Sequence, residues 1–258
     1  MVLFLIAALA PALILFYFVY HKDTQPEPTR IVVKGFFFGV LSAFVAIMAD
    51  SLIIKTGVYT ETPASLGEAI RLSFLGAAIP EECAKLLMLW LLLRNCQAFD
   101  ERYDGIVYST AVGLGFAGFE NLGYLAQAGP QWMGVAFSRA LFAVPGHFAF
   151  AVVMGYYYSQ YHFKKDKGAM IKMLLYPVLL HGVYDTLCFT MESAASKESL
   201  ATLLVFALLV FFCIKLFGYT RRKILSEAKS NEYYGSPDKV ERNGYDVNRD
   251  WTDKPEEQ

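Results

Sequence analysis

Charge is scarce in this chain of 258 residues. Asp, Glu, Lys and Arg together make up 18%, against about 25% in an ordinary soluble domain. Hydrophobic residues reach 55% and the mean hydropathy is +0.37, which argues against a cytosolic enzyme. The formal net charge is −1, so no global field favours nucleic acid or another polyanion, and no nucleic-acid partner is expected. Cysteine is sparse and scattered: Cys83, Cys96, Cys188 and Cys213 include no CxxC pair. They form neither a disulfide framework nor a zinc-finger pattern, they leave the redox compartment open, and they read as apolar filler. There is no HExxH and no GxSxG, which excludes the common soluble metalloprotease and serine-hydrolase signatures. No internal repeat is visible.

What the chain has instead is long apolar runs. A helix needs about 20 mostly apolar residues to cross a bilayer. Seven stretches qualify, at about 2–20, 34–54, 67–93, 105–127, 133–160, 170–190 and 199–218. The expected fold is therefore all-α, a polytopic membrane bundle of about seven helices in the cell (inner) membrane. The first run lacks a basic leader, and Pro11 follows the AxA-like Ala8-Leu9-Ala10, so it reads as a retained helix kinked at Pro11 rather than a cleaved signal peptide. Basic residues set orientation. Lys22, Arg30 and Lys34; Arg94 and Arg102; Lys164, Lys165 and Lys167; and Arg221, Arg222 and Lys223 fall at every second connection. The alternate loops hold only Lys55, none at 128–132, and Lys197. The N-terminus is thus expected outside and the C-terminus in the cytoplasm. Residues 1–218 read as the membrane-embedded domain and 219–258 as a polar, poorly ordered tail.

Against this background the ionisable residues inside the runs stand out, because a charge at the bilayer centre costs several kcal/mol. They are Glu81, Glu82 and Lys85 in the third run, Glu120 in the fourth, Arg139 and His147 in the fifth, and His181 and Asp185 in the sixth. Counted along helices of 1.5 Å rise, Glu81, Glu120, His147 and His181 share a slab roughly 10–21 Å below the outer surface. Lys85 projects between Glu81 and Glu82 and can partly neutralise either. Pro80 implies a kink or local opening beside the acids. His181 and Asp185 are spaced i,i+4, so the carboxylate can hold one imidazole nitrogen and fix the tautomer of the other. Tyr124 lies one turn from Glu120, and Gly113, Gly115, Ala117 and Gly118 permit close helix approach. Plainer roles suffice elsewhere. Arg139 lies near the outer end and is expected to snorkel; Glu68, Arg71 and Asp50 suit a helix end or interface. Tyr17, Tyr20 and Tyr156–Tyr158 resemble aromatic belts.

Such a set can activate water. A glutamate can serve as general base while histidines polarise a carbonyl or hold the oxyanion. Alternatively, His147, His181 and Glu82 can bind Zn²⁺ or another divalent metal, leaving the other glutamate as base. Intramembrane Glu, His and Lys also build proton relays, so a proton-coupled transporter or channel is the alternative reading, and a noncatalytic membrane scaffold is a third.

The motifs in order resemble the PrsW family of intramembrane proteases, related to the group that includes CAAX prenyl endopeptidases. EExxK is Glu81-Glu82-Cys83-Ala84-Lys85, FExxxY is Phe119-Glu120 to Tyr124, His147 fits the third motif, and His181-x-x-x-Asp185 the fourth. Asp104-Gly-Ile-Val-Tyr108 and Gly113–Ala117 also look like this family, over roughly the first six spans. The resemblance implies a membrane-embedded endopeptidase acting near the extracytoplasmic side. It implies a single-pass membrane protein substrate, such as an anti-sigma factor in stress signalling. The catalytic set it implies is Glu81, Glu82, Lys85, Glu120, His147, His181 and Asp185.

Overall fold

A computed structural model describes residues 2–192 and 200–234 of the chain. Lys197 and the end of the tail, 235–258, lie outside the described residues. Among the described residues the fold is helical throughout: α1 (Val2–Tyr20), α2 (Thr29–Ile53), α3 (Leu66–Arg71), α4 (Ile79–Leu93), α5 (Arg102–Gln127), α6 (Trp132–Leu141), α7 (Ala143–Lys164), α8 (Lys167–Glu192) and α9 (Leu200–Tyr234).

Five helical stretches are long and apolar enough to cross a membrane: Val2–Tyr20, Thr29–Thr56, Gly129–Lys164, Lys167–Glu192 and Leu200–Lys229. The two other runs, 66–93 and 102–127, are helical but differ in kind. The first carries the Glu81/Glu82/Lys85 charges and is interrupted. The second, α5, is enclosed by protein: eighteen of its residues are buried, and it packs most extensively against α7 and α2. A helix surrounded by other helices has no need of a lipid-compatible surface. Bulky apolar side chains instead lie on the outside of α1, α2 and α9, where Leu3, Ile14, Phe37, Met48, Leu203 and Ile214 are all exposed.

Small residues bring α5 close to its neighbours. A Cβ on Gly39 of α2 would run into the Val112 carbonyl of α5, and one on Gly115 into the Phe36 carbonyl. On the other side of α5, Gly105 and Gly155 of α7 face each other in the same way. Ser109 adds a hydrogen bond from its hydroxyl to the Ala151 carbonyl at 2.8 Å. The Gly-rich stretch read as permitting close approach does so against two helices at once.

Two runs expected as single helices are broken. Between α3 and α4, residues Leu72–Ala78 form a π-helical turn, in which the Ile79 N–H donates to the Phe74 carbonyl. Pro80 follows at the start of α4 and has no N–H to continue a tight ladder, so the register widens just ahead of it. This is the local opening that Pro80 implied. The fifth run breaks at Phe142 (φ −123°, ψ −59°), three residues before Pro145, and the chain restarts as α7. α1 and α8 run on through Pro11 and Pro177. The boundary expected near residue 218 is not a helix boundary. α9 continues to Tyr234, because Thr220, Ile224 and Glu227 are buried on its inner face and Glu227 meets Arg102 of α5 at 3.6 Å.

Candidate active site

α4, α5, α7 and α8 converge on one polar cluster. Lys85 is its hub. The Nζ lies 2.9 Å from Glu82 Oε1, 3.1 Å from Glu81 Oε2 and 3.1 Å from His147 Nδ1. An ammonium has three N–H groups, and all three are used. The tautomer of His147 follows: Nδ1 accepts from lysine, so the proton sits on Nε2, which donates to Glu120 Oε2 at 2.9 Å. The lysine also rests on the Phe116 ring, 3.8 Å from its centroid, a cation–π contact made strong by burial.

His181 is held from two sides. Its Nδ1 is 2.9 Å from Glu82 Oε1 and its Nε2 is 3.1 Å from Asp185 Oδ2. The i,i+4 pairing anticipated from sequence is formed, and Glu82 from α4 takes the other nitrogen. Phe150 stacks on the imidazole at 4.8 Å with an interplanar angle of 22°, which fixes the ring plane. The two histidine rings meet edge-on at 5.1 Å.

The cluster is graded in exposure. Glu82, Lys85, His147 and His181 are buried, whereas the side chains of Glu81, Glu120 and Asp185 retain 14%, 20% and 15% of their accessible surface. The site therefore has a closed inner wall and an open edge. Glu81 reaches that edge, while Glu82 is committed to Lys85 and His181.

Arg139 is the residue that sequence depth misplaces. Expected to snorkel, it turns inward: Nη2 meets Glu120 Oε2 at 2.5 Å and Nε donates to Asn121 Oδ1 at 2.5 Å. Its guanidinium lies 3.9 Å from the centroid of Tyr124, so that phenol ring supports the arginine. The turn after α5 brings α6 back against it, and this places Arg139 on Glu120. A signal was present, since no acid lies within four residues of Arg139 on its own helix, and a buried guanidinium needs one. Asp50, by contrast, takes the helix-end role expected of it and accepts a hydrogen bond from the Tyr59 hydroxyl.

The donor set fits a divalent ion. Glu81, Glu82, His147 and His181 each offer one ligand atom, and these lie within 4.8 Å of one another. Glu82 Oε2 is buried and has no hydrogen-bond partner. Four carboxylates (Glu81, Glu82, Glu120, Asp185) face two fixed cations (Lys85, Arg139), which leaves an excess of negative charge. Mixed imidazole and carboxylate donors suit zinc and similar transition metals.

The chain matches the model of the PrsW family intramembrane metalloprotease over residues 27–214. The match begins after α1 and extends into α9, somewhat later at both ends than the first six spans over which the resemblance was read. Protease PrsW of Geobacillus kaustophilus (strain HTA426) is 36% identical over 189 residues, covering 72% of this chain and 80% of the relative. That of Clostridioides difficile (strain 630) is 35% identical over 189 residues, 71% and 77% of the two chains. That of Bacillus subtilis (strain 168) is 36% identical over 183 residues, 69% and 79%. No solved structure matches the chain. With its polar cluster enclosed in a bundle of apolar helices, the chain belongs to the PrsW family of intramembrane metalloproteases and is a multi-pass membrane endopeptidase.

Proposed function

We propose that the Glu81–Glu82–Lys85–His147–His181 cluster is the catalytic centre, with Glu81 as the general base, and that it cuts a single-pass membrane protein near the extracytoplasmic side. The observation that carries this reading is the convergence of two carboxylates and two imidazoles within 4.8 Å at the edge where Glu81 is partly open. His147, His181 and Glu82 are the residues that would hold the metal, Zn²⁺ by donor type. When bound, such an ion supplies Lewis acidity, polarising a carbonyl and making water more acidic.

The remaining chemistry belongs to the protein. Glu81 accepts a proton from the attacking water at its exposed oxygen. The hydroxide adds to the scissile carbonyl carbon, and negative charge moves to the carbonyl oxygen. As the C–N bond breaks, Glu81 returns the proton to the leaving amine, so product carboxyl and amine account for the water consumed. Lys85 keeps Glu81 and Glu82 from repelling each other and supplies fixed positive charge near the developing oxyanion. Asp185 orients His181, and Glu120, gripped by Arg139, orients His147. Helix ends bounding a polar edge suit an extended or unwound stretch of substrate, because an intact helix hides its peptide bonds.

The topology that goes with this activity is seven spans, with the N-terminus outside and the C-terminus in the cytoplasm, a membrane domain of about residues 1–218 and a polar tail at 219–258. An anti-sigma factor is the substrate class proposed, in a stress-signalling role.

The test is cleavage of a co-expressed single-pass substrate by Glu81→Ala, Glu82→Ala, His147→Ala and His181→Ala, with membrane level measured for each. All four are expected to accumulate and to fail in cleavage. Full cleavage by a well-expressed variant removes that residue from the catalytic set. Metal analysis of the same preparations is expected to find stoichiometric zinc in the wild type and loss in both histidine variants. An active preparation without metal would overturn the ligand assignment.

A further inference from the structure

A second group of acids lies far from the first. Asp23 and Glu27 belong to the connection between α1 and α2, and Asp104 sits in the first turn of α5. Asp104 precedes Glu120 by about 24 Å of helix rise, so the two clusters occupy opposite parts of α5. All three side chains are buried: Asp23 is 7% exposed, Glu27 4% and Asp104 0%. Each offers one carboxylate oxygen within 4.8 Å of the others.

The carboxylates are oriented by hydrogen bonds from the surrounding protein. Asp104 Oδ2 accepts from the backbone N–H groups of Asp100 at 2.9 Å and Glu101 at 2.6 Å. Glu27 Oε2 accepts from the Tyr108 hydroxyl, and Asp23 Oδ1 from the Gln25 N–H at 3.0 Å. Asp104 Oδ1 is buried and no protein N–H donates to it, and the Glu27 carboxyl lies within hydrogen-bonding range of the Asp104 side chain. A fully buried carboxylate oxygen left bare is costly unless something positive meets it. The surrounding chain is held firmly, with the Tyr20 hydroxyl on the Glu27 carbonyl and the Tyr103 hydroxyl on the Val19 carbonyl, both at 2.9 Å.

We infer that Asp23, Glu27 and Asp104 form a second cation site, for a hard divalent ion of the Mg²⁺/Ca²⁺ class, which ties the α1–α2 connection to the start of α5. The donor chemistry selects the ion. Three carboxylates with no imidazole or thiolate suit hard cations, in contrast to the His-bearing cluster 16 residues further along α5. Protein donors to these carboxylates play the orienting part that outer-shell groups play at metal sites. Burial pushes the Glu27 carboxyl up to about 8, so a proton shared between Glu27 and Asp104 is the competing occupant.

The experiment uses the purified full-length protein in detergent at mildly alkaline pH. Mn²⁺ binding is followed by electron paramagnetic resonance, displacement by Mg²⁺ and Ca²⁺ is measured, and thermal unfolding is recorded with and without each ion. The wild type is expected to take up one Mn²⁺ more than Asp23→Asn or Asp104→Asn, with affinity reduced about tenfold or more in each variant. The cation raises Tm in the wild type only, and zinc content is the same in all three. Equal uptake by wild type and variants would overturn the site. So would a Tm that ignores Mg²⁺ and Ca²⁺ but rises on acidification, the mark of a shared proton. If neither variant folds, the wild-type titration still decides: Mn²⁺ that Mg²⁺ and Ca²⁺ fail to displace refutes the assignment.

Discussion

Lys85 is the residue on which the electrostatics of the centre turn. It makes three hydrogen bonds with three N–H groups, so any replacement leaves partners without a donor. Lys85→Met is expected to strand two carboxylates and cost about 3–5 kcal/mol, as removal of one partner from a buried ion pair does. A thermal melt in detergent reads this, and a methionine variant as stable as wild type would contradict the hub role. Arg139 is tested differently, because it acts through Glu120 and His147. Arg139→Leu is expected to reduce cleavage by about 10- to 100-fold while the protein still accumulates, with Arg139→Lys recovering part of the loss. These two residues also mark how far the sequence could be read. Glu81, Glu82 and Lys85 lie within one helical turn, so their pairing follows from periodicity alone. The His181–Asp185 pair follows in the same way. Arg139 reaches Glu120 only through a chain reversal, and no local spacing encodes that distance. Asp23 and Glu27 look like ordinary loop acids until the fold lays them against Asp104.

At the scale of elements, the site depends on irregular backbone. The π turn at Leu72–Ala78 presents Phe74 to α8, where a Cβ on Gly182 would collide with the ring. Gly182 is next to His181, so the glycine sets how near the histidine comes to α4. Gly182→Val is expected to destabilise by about 1–3 kcal/mol through overpacking and to cut activity further than that loss of fold explains. Activity per folded molecule, measured beside the melt, separates the two effects. Unchanged specific activity would show that α8 tolerates the shift. The helices themselves were legible as apolar runs, and Pro80 marked the first break. The Phe142 break was equally available from Pro145. The continuation of α9 was not, because residues 219–229 are polar in composition and bury one face, with Thr220, Ile224 and Glu227, on neighbours far away in sequence.

For the whole molecule, the bundle is built around a helix that protein encloses from Tyr103 to Gly118. α5 contributes one acid to each cluster and is lined on two sides by close glycine contacts, which makes it a poor membrane span by composition and a good central strut by packing. Seven and five crossings both put the termini on opposite sides, so terminal reporters do not distinguish them. Single cysteines at Thr60 and Gln97 do, once the four native cysteines are replaced. Seven spans place these positions on opposite faces of the membrane, so an impermeant thiol reagent is expected to label Thr60→Cys from outside and Gln97→Cys only after permeabilisation. Labelling of both from one side would mean that 66–93 does not cross. The placement of Lys85 also bears on biogenesis. Its bonds to Glu81 and Glu82 lie at i,i+4 and i,i+3 on α4 itself, so they can form while the segment is still leaving the insertion machinery. The two carboxylates are then already partly compensated by one ammonium before the rest of the bundle is made. The histidines arrive later in synthesis, on α7 and α8, and find the carboxylates already in position. With the catalytic set proposed above, the chain is dormant until α8 is in place, a consequence of the order of translation.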